Sequence, residues 1–476
     1  ILTYDFEVLM HKDDMSWVNN VNGFLPYFGL SNVEVPKIDR FIDENDSLHL
    51  GETPIKIIHT KGHTKGGLCY LIEDKLFSGD TIFCEAVGRC DLEGGDFDEI
   101  VDCTGLHVFP GFIDPHVHFR DPGLTYKEDF KTGSMAAANG GFTFVMDMPN
   151  TVPQTNTYKA FKDKVKIAKD KSIINFGLHA GVNSFEEMEK IQSLNPMSFK
   201  CFMDLLTDDE LDTVFKDVAN LDNNPILSLH CENKAIIAEN SKKLKESEGE
   251  NPAIDYSYAR SADSENKSVE QAIALSKKYG NNLHICHLST KYALDLAISN
   301  NISYEFTPHH LLFDNSAFND FGTLIRTNPP LREKDVKVSI SDISEDSIMG
   351  TDHAPHSLEE KTKGTWDSAS GIPSLETVLP LLLTEVNKSR LDLNLIPKIF
   401  SENVAKRFNL KGKGYIKEGY DADLTVIDLN KSGVFDIDTF YTKAEYSPFD
   451  GFEYKGIATM TICGGKVVMK ENEVFS

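Results

Sequence analysis

Two imidazoles stand one residue apart in Asp114-Pro115-His116-Val117-His118-Phe119-Arg120, just beyond the apolar run Val108-Phe109-Pro110-Gly111-Phe112-Ile113. That run reads as a buried strand. Alternation along a strand puts His116 and His118 on one side, where both can reach a single metal ion. Arg120 continues the same face and offers a cationic fork to an anionic substrate. His230, His287 and Asp352 each close a later strand-like segment. Imidazole and carboxylate donors suit zinc or a similar divalent cation. Lys200 lies inside the apolar segment Ser198-Phe199-Lys200-Cys201-Phe202. Its amine either snorkels to solvent or reacts with CO2. The resulting carbamate would bridge two cations about 3.5–4 Å apart that share a hydroxide. One histidine at a strand end is more often structural than catalytic. The joint pattern at the first, fourth, fifth, sixth and eighth strands is what points to a metal centre. His179, His284, His309 and His310 read as packing or supporting residues, and His353 faces away from Asp352.

These donors need a scaffold that gathers strand ends. Eight strand candidates appear: Phe112–His118, Phe142–Asp147, Ile173–His179, Ser198–Met203, Pro225–His230, Asn282–His287, Ser303–Thr307 and Asp346–Asp352. Helical stretches lie between them, among them Lys127–Asn139, Tyr158–Lys169, Val269–Tyr279 and Lys291–Ser299, with Gly140-Gly141 as a stop signal. Strand–helix alternation on this scale predicts an α/β fold, a (β/α)8 barrel over 111–404 with its active site at the C-terminal strand ends. Alternating segments around Ala422–Asp428 and Ala458–Cys463, with Gly464-Gly465 as a hairpin turn, predict a small β-sandwich over 405–476. Residues 98–110 are expected to contribute a strand to it, placed at Glu99–Val108.

Composition narrows the function classes. The formal net charge of −26 argues against nucleic acid or an anionic membrane as partner. A local arginine still outweighs distant charge for a small anionic substrate at physiological salt. The 8 cysteines are scattered without a CxxC pair, which fits reduced thiols in the cytoplasm. No apolar run approaches the roughly 18–20 residues of a membrane span, and no basic-then-apolar start is present. The first residue is Ile, which fits an incomplete start.

Several motifs resemble the amidohydrolase superfamily and, within it, the dihydroorotases. They are Pro110–Gly123, Lys127-Glu128-Asp129, Ala136–Thr143, Asp147–Thr151, His284–Thr290, Thr327–Arg332, Thr351–His356, Gly371-Ile372-Pro373, Asn403–Lys406 and Gly419–Leu424. The resemblance spans about residues 100–476. It implies a binuclear set of His116, His118, Lys200, His230, His287 and Asp352, holding two zinc or similar ions with carbamylated Lys200 as bridge. It implies that Arg120, Asn150 and His356 hold the substrate carboxylate and ring, that Asn328 contacts the ring, and that Asp352 is the general acid/base. The implied reaction is the reversible interconversion of dihydroorotate and N-carbamoyl-aspartate. A homodimer, or association with aspartate transcarbamoylase, is compatible with the resemblance. Other readings are a hydantoinase or allantoinase acting on another cyclic amide, and a non-catalytic scaffold.

Residues 1–97 resemble part of a metallo-β-lactamase fold of the glyoxalase II branch. The carrying residues are His59–Gly67, Phe77–Phe83 and Val87–Leu92, with His63 and Asp80 matching metal ligands. The upstream HxHxDH is absent, which predicts no hydrolase activity from this part and disfavours a thiolester hydrolase. The junction near Gly94-Gly95-Asp96 reads as a join between two partial coding regions: a fusion, a degraded gene or an assembly error.

Overall fold

The computed structural model describes residues 7–28, 31, 33, 35, 37–73, 75–79, 82–83, 86–87, 103–247 and 252–475. The chain forms two compact units, Ile1–Gly105 and Leu106–Ser476.

The larger unit is built on eight parallel strand positions: β1 Phe112–Val117, β2 Phe142–Asp147, β3 Asn175–Leu178, β4 Phe199–Phe202, β5 Ile226–His230, β6 Asn282–Ile285, β7 Ser303–Phe306 and β8 Ile348–Met349. Each pairs with the next in sequence, the short segment Ala180–Gly181 carrying the third position across to β4. The barrel closes where the His118 N–H donates to the His353 carbonyl at 2.8 Å, beside a parallel bridge between Val117 and His353. Every residue of β1 and β2 is buried. That burial explains why they read as continuous apolar runs rather than alternating ones. Phe112, Phe142, Phe199 and Phe306 are fully enclosed, and each such ring is worth about 1.5–3 kcal/mol of transfer free energy.

Short polar residues start the outer helices. Asp129 accepts from the Lys131 and Thr132 amides and opens Phe130–Asn139, while Thr157 and Thr290 cap Tyr158–Lys171 and Lys291–Ser299. These caps satisfy amide groups that a helix start leaves orphaned. The first helix ends at Gly140-Gly141. Gly141 takes φ +92°, which favours glycine.

The tail forms one antiparallel sheet of five strands, in the order Glu473–Val474, Lys466–Lys470, Glu453–Cys463, Leu424–Val434 and His107–Pro110. The expected entering strand therefore lies later than Glu99–Val108: a turn at Gly105 (φ +77°) delays it, and residues 99–102 lie outside the described residues. Gly464 and Gly465 have φ +57° and +78° and make the predicted hairpin turn. Thr425 and Thr461 dock this sheet on the barrel, donating to the Gly141 and Ala138 carbonyls at 2.7 and 2.8 Å.

In the smaller unit, Leu48–Leu50, Thr53–His59, Leu68–Ile72 and Lys75–Phe77 form a four-stranded antiparallel sheet. Asp14 accepts from the Thr64 hydroxyl and the Gly66 amide at 2.8 and 2.7 Å. Asp80, Arg89 and the junction at 94–96 lie outside the described residues. Among the described residues no helix is long and apolar enough to cross a membrane.

Candidate metal centre and active site

At the C-terminal strand ends a cavity of about 250 Å³ is lined by His116, His118, Arg120, Asn150, His230, His287, Asn328 and Asp352, together with Gln154 and Asp204. Donor atoms of His116, His118 and Asp352 all lie within 4.8 Å of one another. His118 Nε2 is 3.1 Å and His116 Nε2 3.4 Å from Asp352 Oδ1. The His230 Nδ1 and His287 Nε2 atoms are 3.0 Å apart, and the His116 and His287 ring centroids 5.3 Å apart. Lys200 is only 1% exposed and its Nζ lies 2.8 Å from Cys286 Sγ. Among the described residues no carboxylate pairs with it.

The far side of three imidazoles decides which nitrogen faces the cavity. His116 Nδ1 donates to Glu305 Oε1, His118 Nδ1 to Asn150 Oδ1 at 2.6 Å, and His230 Nε2 to Glu232 Oε2 at 3.0 Å. Such outer partners fix the tautomer and the ring orientation of metal-binding histidines. For His118 this leaves a lone pair on Nε2 facing the Asp352 carboxylate. Burial pushes the His118 imidazole down to about 4, so at neutral pH no proton bridges the two acceptors. A cation between them satisfies both, and the donor set fits one. Burial opposes ionisation of Asp352, but His116 outweighs it and holds its carboxyl well below the usual carboxylate range. Burial and the neighbouring His230 hold the His287 ring neutral. At His116, burial disfavours the charged form, yet Glu305 wins and the imidazole rises to about 10. Metal uptake at that ring then displaces a proton.

Three residues of this region adopt left-handed backbone: Arg120 (φ +62°), His287 (φ +38°) and Asp352 (φ +49°). Non-glycine residues held there cost about 1–3 kcal/mol and cluster at functional sites. Arg120 therefore does not simply continue the strand face as expected, because β1 ends at Val117 and a turn redirects the side chain. Arg120 Nη2 lies 3.0 Å from His356 Nε2. Lys127 Nζ donates to the His356 Nδ1 at 3.1 Å, so the ring proton sits on Nε2 and goes to the Ser370 carbonyl at 3.0 Å. Burial, then Arg120 and Lys127, keep this ring neutral. The Asn150 carbonyl oxygen is taken by His118, which leaves its amide for a ligand. The Asn328 Oδ1 accepts from the Tyr256 hydroxyl at 2.6 Å.

The supporting histidines are where sequence reasoning expects them. His179 bonds to the Pro115 carbonyl and the Ser198 hydroxyl, and His284 Nε2 donates to Glu305 Oε2 at 3.1 Å. His353 turns its Nδ1 to the Ser374 amide at 3.1 Å, away from the cavity. What the sequence reading missed is the acidic support: Glu305, Glu232 and Asp204, with Arg260 bound to the last two at 2.5 and 2.8 Å. Glu305 carried a readable signal, a carboxylate between Tyr304 and Phe306 in a buried strand, the same anomaly that marks Lys200.

Residues 107–468 match the amidohydrolase family, and the chain belongs to it. Its relatives within that family include dihydroorotases. The one from Methanosphaera stadtmanae is 48% identical over 383 residues, covering 79% of this chain and 89% of the relative. The one from Methanothermobacter thermautotrophicus is 47% identical over 382 residues, covering 80% and 88%. Among solved structures, L-hydantoinase (dihydropyrimidinase) from Arthrobacter aurescens is similar, with a TM-score of 0.75 and 27% identity over 88% of this chain and 96% of that one.

Proposed function

We propose that this chain is a metal-dependent cyclic amide hydrolase that interconverts dihydroorotate and N-carbamoyl-aspartate. The single observation that carries the reading is the cavity in which four imidazoles and Asp352 converge beside Arg120. The dihydroorotase relatives, at nearly half identity, outweigh the more distant hydantoinase likeness. His116, His118 and Asp352 would hold one divalent cation and His230 with His287 a second, Lys200 bridging them as its carbamate. When bound, such cations supply an activated water and polarise the scissile carbonyl. Asp352, ionised beside His118, takes a proton at Oδ1 and returns it to the departing ring nitrogen. Arg120, next to His356, and the Asn150 amide orient the carboxylate-bearing ring; Asn328, braced by Tyr256, faces its other edge. Orientation of this kind supplies several kcal/mol in well-placed reactants. The test is turnover of dihydroorotate against hydantoin and allantoin, with metal content measured on the same preparation. A preference for hydantoin would overturn the assignment of substrate.

Two variants probe these roles. Arg120→Gln removes a charge-assisted contact worth roughly 1.5–3 kcal/mol. It is expected to raise KM for dihydroorotate about 10–100-fold while leaving hydantoin kinetics little changed; equal loss on both substrates would remove Arg120 from carboxylate recognition. Glu305→Gln is expected to weaken divalent-metal retention about 10–100-fold, read by titration against a chelator. Unaltered affinity would make Glu305 a packing residue.

We read the smaller unit as the metallo-β-lactamase-like part, on the likeness carried by His59–Gly67, and assign it no hydrolysis. His63→Ala is expected to leave dihydroorotate turnover as it is.

A further inference from the structure

At the opposite end of the barrel, where β6 and β7 begin, lies a second cavity of about 250 Å³, and its walls are polar. Ser276, Lys277, Asn281, Asn300, Ser303 and Arg407 line it. Arg407 is partly buried and binds only neutral acceptors: its Nη1 donates to Asn282 Oδ1 at 2.7 Å and its Nη2 to the Leu283 carbonyl at 2.8 Å. Its Nε is enclosed with no partner. Burial lowers its guanidinium to about 10, and no neighbouring carboxylate offsets that. Among the described residues, neither Arg407 nor Lys277 has an ion pair. Buried cations are ordinarily paired, because desolvating one alone costs several kcal/mol. The complement of these walls is a group with negative oxygens facing Arg407 and Lys277.

We propose that this cavity binds a small oxyanion of the phosphate type, held by the Arg407 guanidinium and the Lys277 ammonium. A guanidinium carries five N–H donors, more than the Asn282 and Leu283 acceptors take up. The cavity lies across the barrel from the candidate active site, so occupancy should not require an open metal centre and should persist in Arg120→Gln.

The test is isothermal titration of the metal-loaded full chain with inorganic phosphate at fixed ionic strength, chloride serving as control. One saturable event in the millimolar range or tighter is expected, retained in Arg120→Gln and weakened at least about 10-fold in Arg407→Gln, as for the loss of a charged hydrogen bond. Lys277 is exposed, so Lys277→Ala should fold regardless and weaken the event several-fold. It takes over the test if Arg407→Gln does not fold. Absence of saturable binding, or binding undiminished by the informative substitution, overturns the proposal.

Discussion

Asp352→Asn is expected to lower dihydroorotate turnover by at least about 10³-fold while the chain keeps its metals. The size follows from removal of a positioned general base, which ordinarily contributes 10²–10⁴-fold. Retention of metal follows from the donors that remain. His116 and His118 stay anchored through Glu305 and Asn150, and an amide oxygen still points where the carboxylate oxygen did. The amide differs in one respect: it cannot accept a proton from the attacking water and hand it on. A carboxylate oxygen at that position, 3.1 Å from His118 Nε2, has the lone pair that the transfer needs. The measurement is kcat in both reaction directions with metal content per chain. Near-normal kcat at full metal occupancy would take Asp352 out of proton transfer. Loss of both metal and activity would make it chiefly a ligand.

The barrel was legible in the sequence because a parallel sheet covered on both sides must be apolar along its length. β1 and β2 have that composition, and the helices between strands carry a different period and their own caps. His116 and His118 were legible through strand alternation, and Lys200 through the anomaly of an amine between buried apolar neighbours. The turn at Arg120 was not, since β1 stops at Val117 and positive φ at a non-glycine residue is imposed by the surroundings. Glu232 and Arg260 were invisible for another reason. Their pairing joins a residue just beyond β5 to one 28 positions further on, and sequence proximity carries no trace of it. The split of roles between Asn150 and His356 was likewise hidden. Both stand in motifs that imply substrate contact; one also orients His118 through its carbonyl oxygen, and the other is held by Lys127 and the Ser370 carbonyl.

Lys200→Gln is the sharpest test of the two-cation reading, and it should cost both metal and rate. Lys200 is enclosed, with Cys286 Sγ as its hydrogen-bond partner and the Phe202 ring 5.3 Å away. A permanent ammonium in that setting would be desolvated without an anion and would repel any cation bound to His116 or His287. Carbamylation reverses the sign of the group, turning a repelling charge into a bridging carboxylate. Gln is of similar bulk and uncharged, so the pocket should survive. Its amide stops short of the bridge position and offers no anion there. The expected outcome is a loss of about one metal ion per chain and a fall in kcat of roughly 10³-fold or more, in line with the charge stabilisation a second cation supplies. Metal reconstitution of wild-type apoprotein should also depend on dissolved CO2, being slow in buffer stripped of it and restored by bicarbonate, whereas Lys200→Gln should be indifferent. If wild-type protein loads two metals equally well without CO2, the side chain acts as a plain amine and the bridge must come from elsewhere.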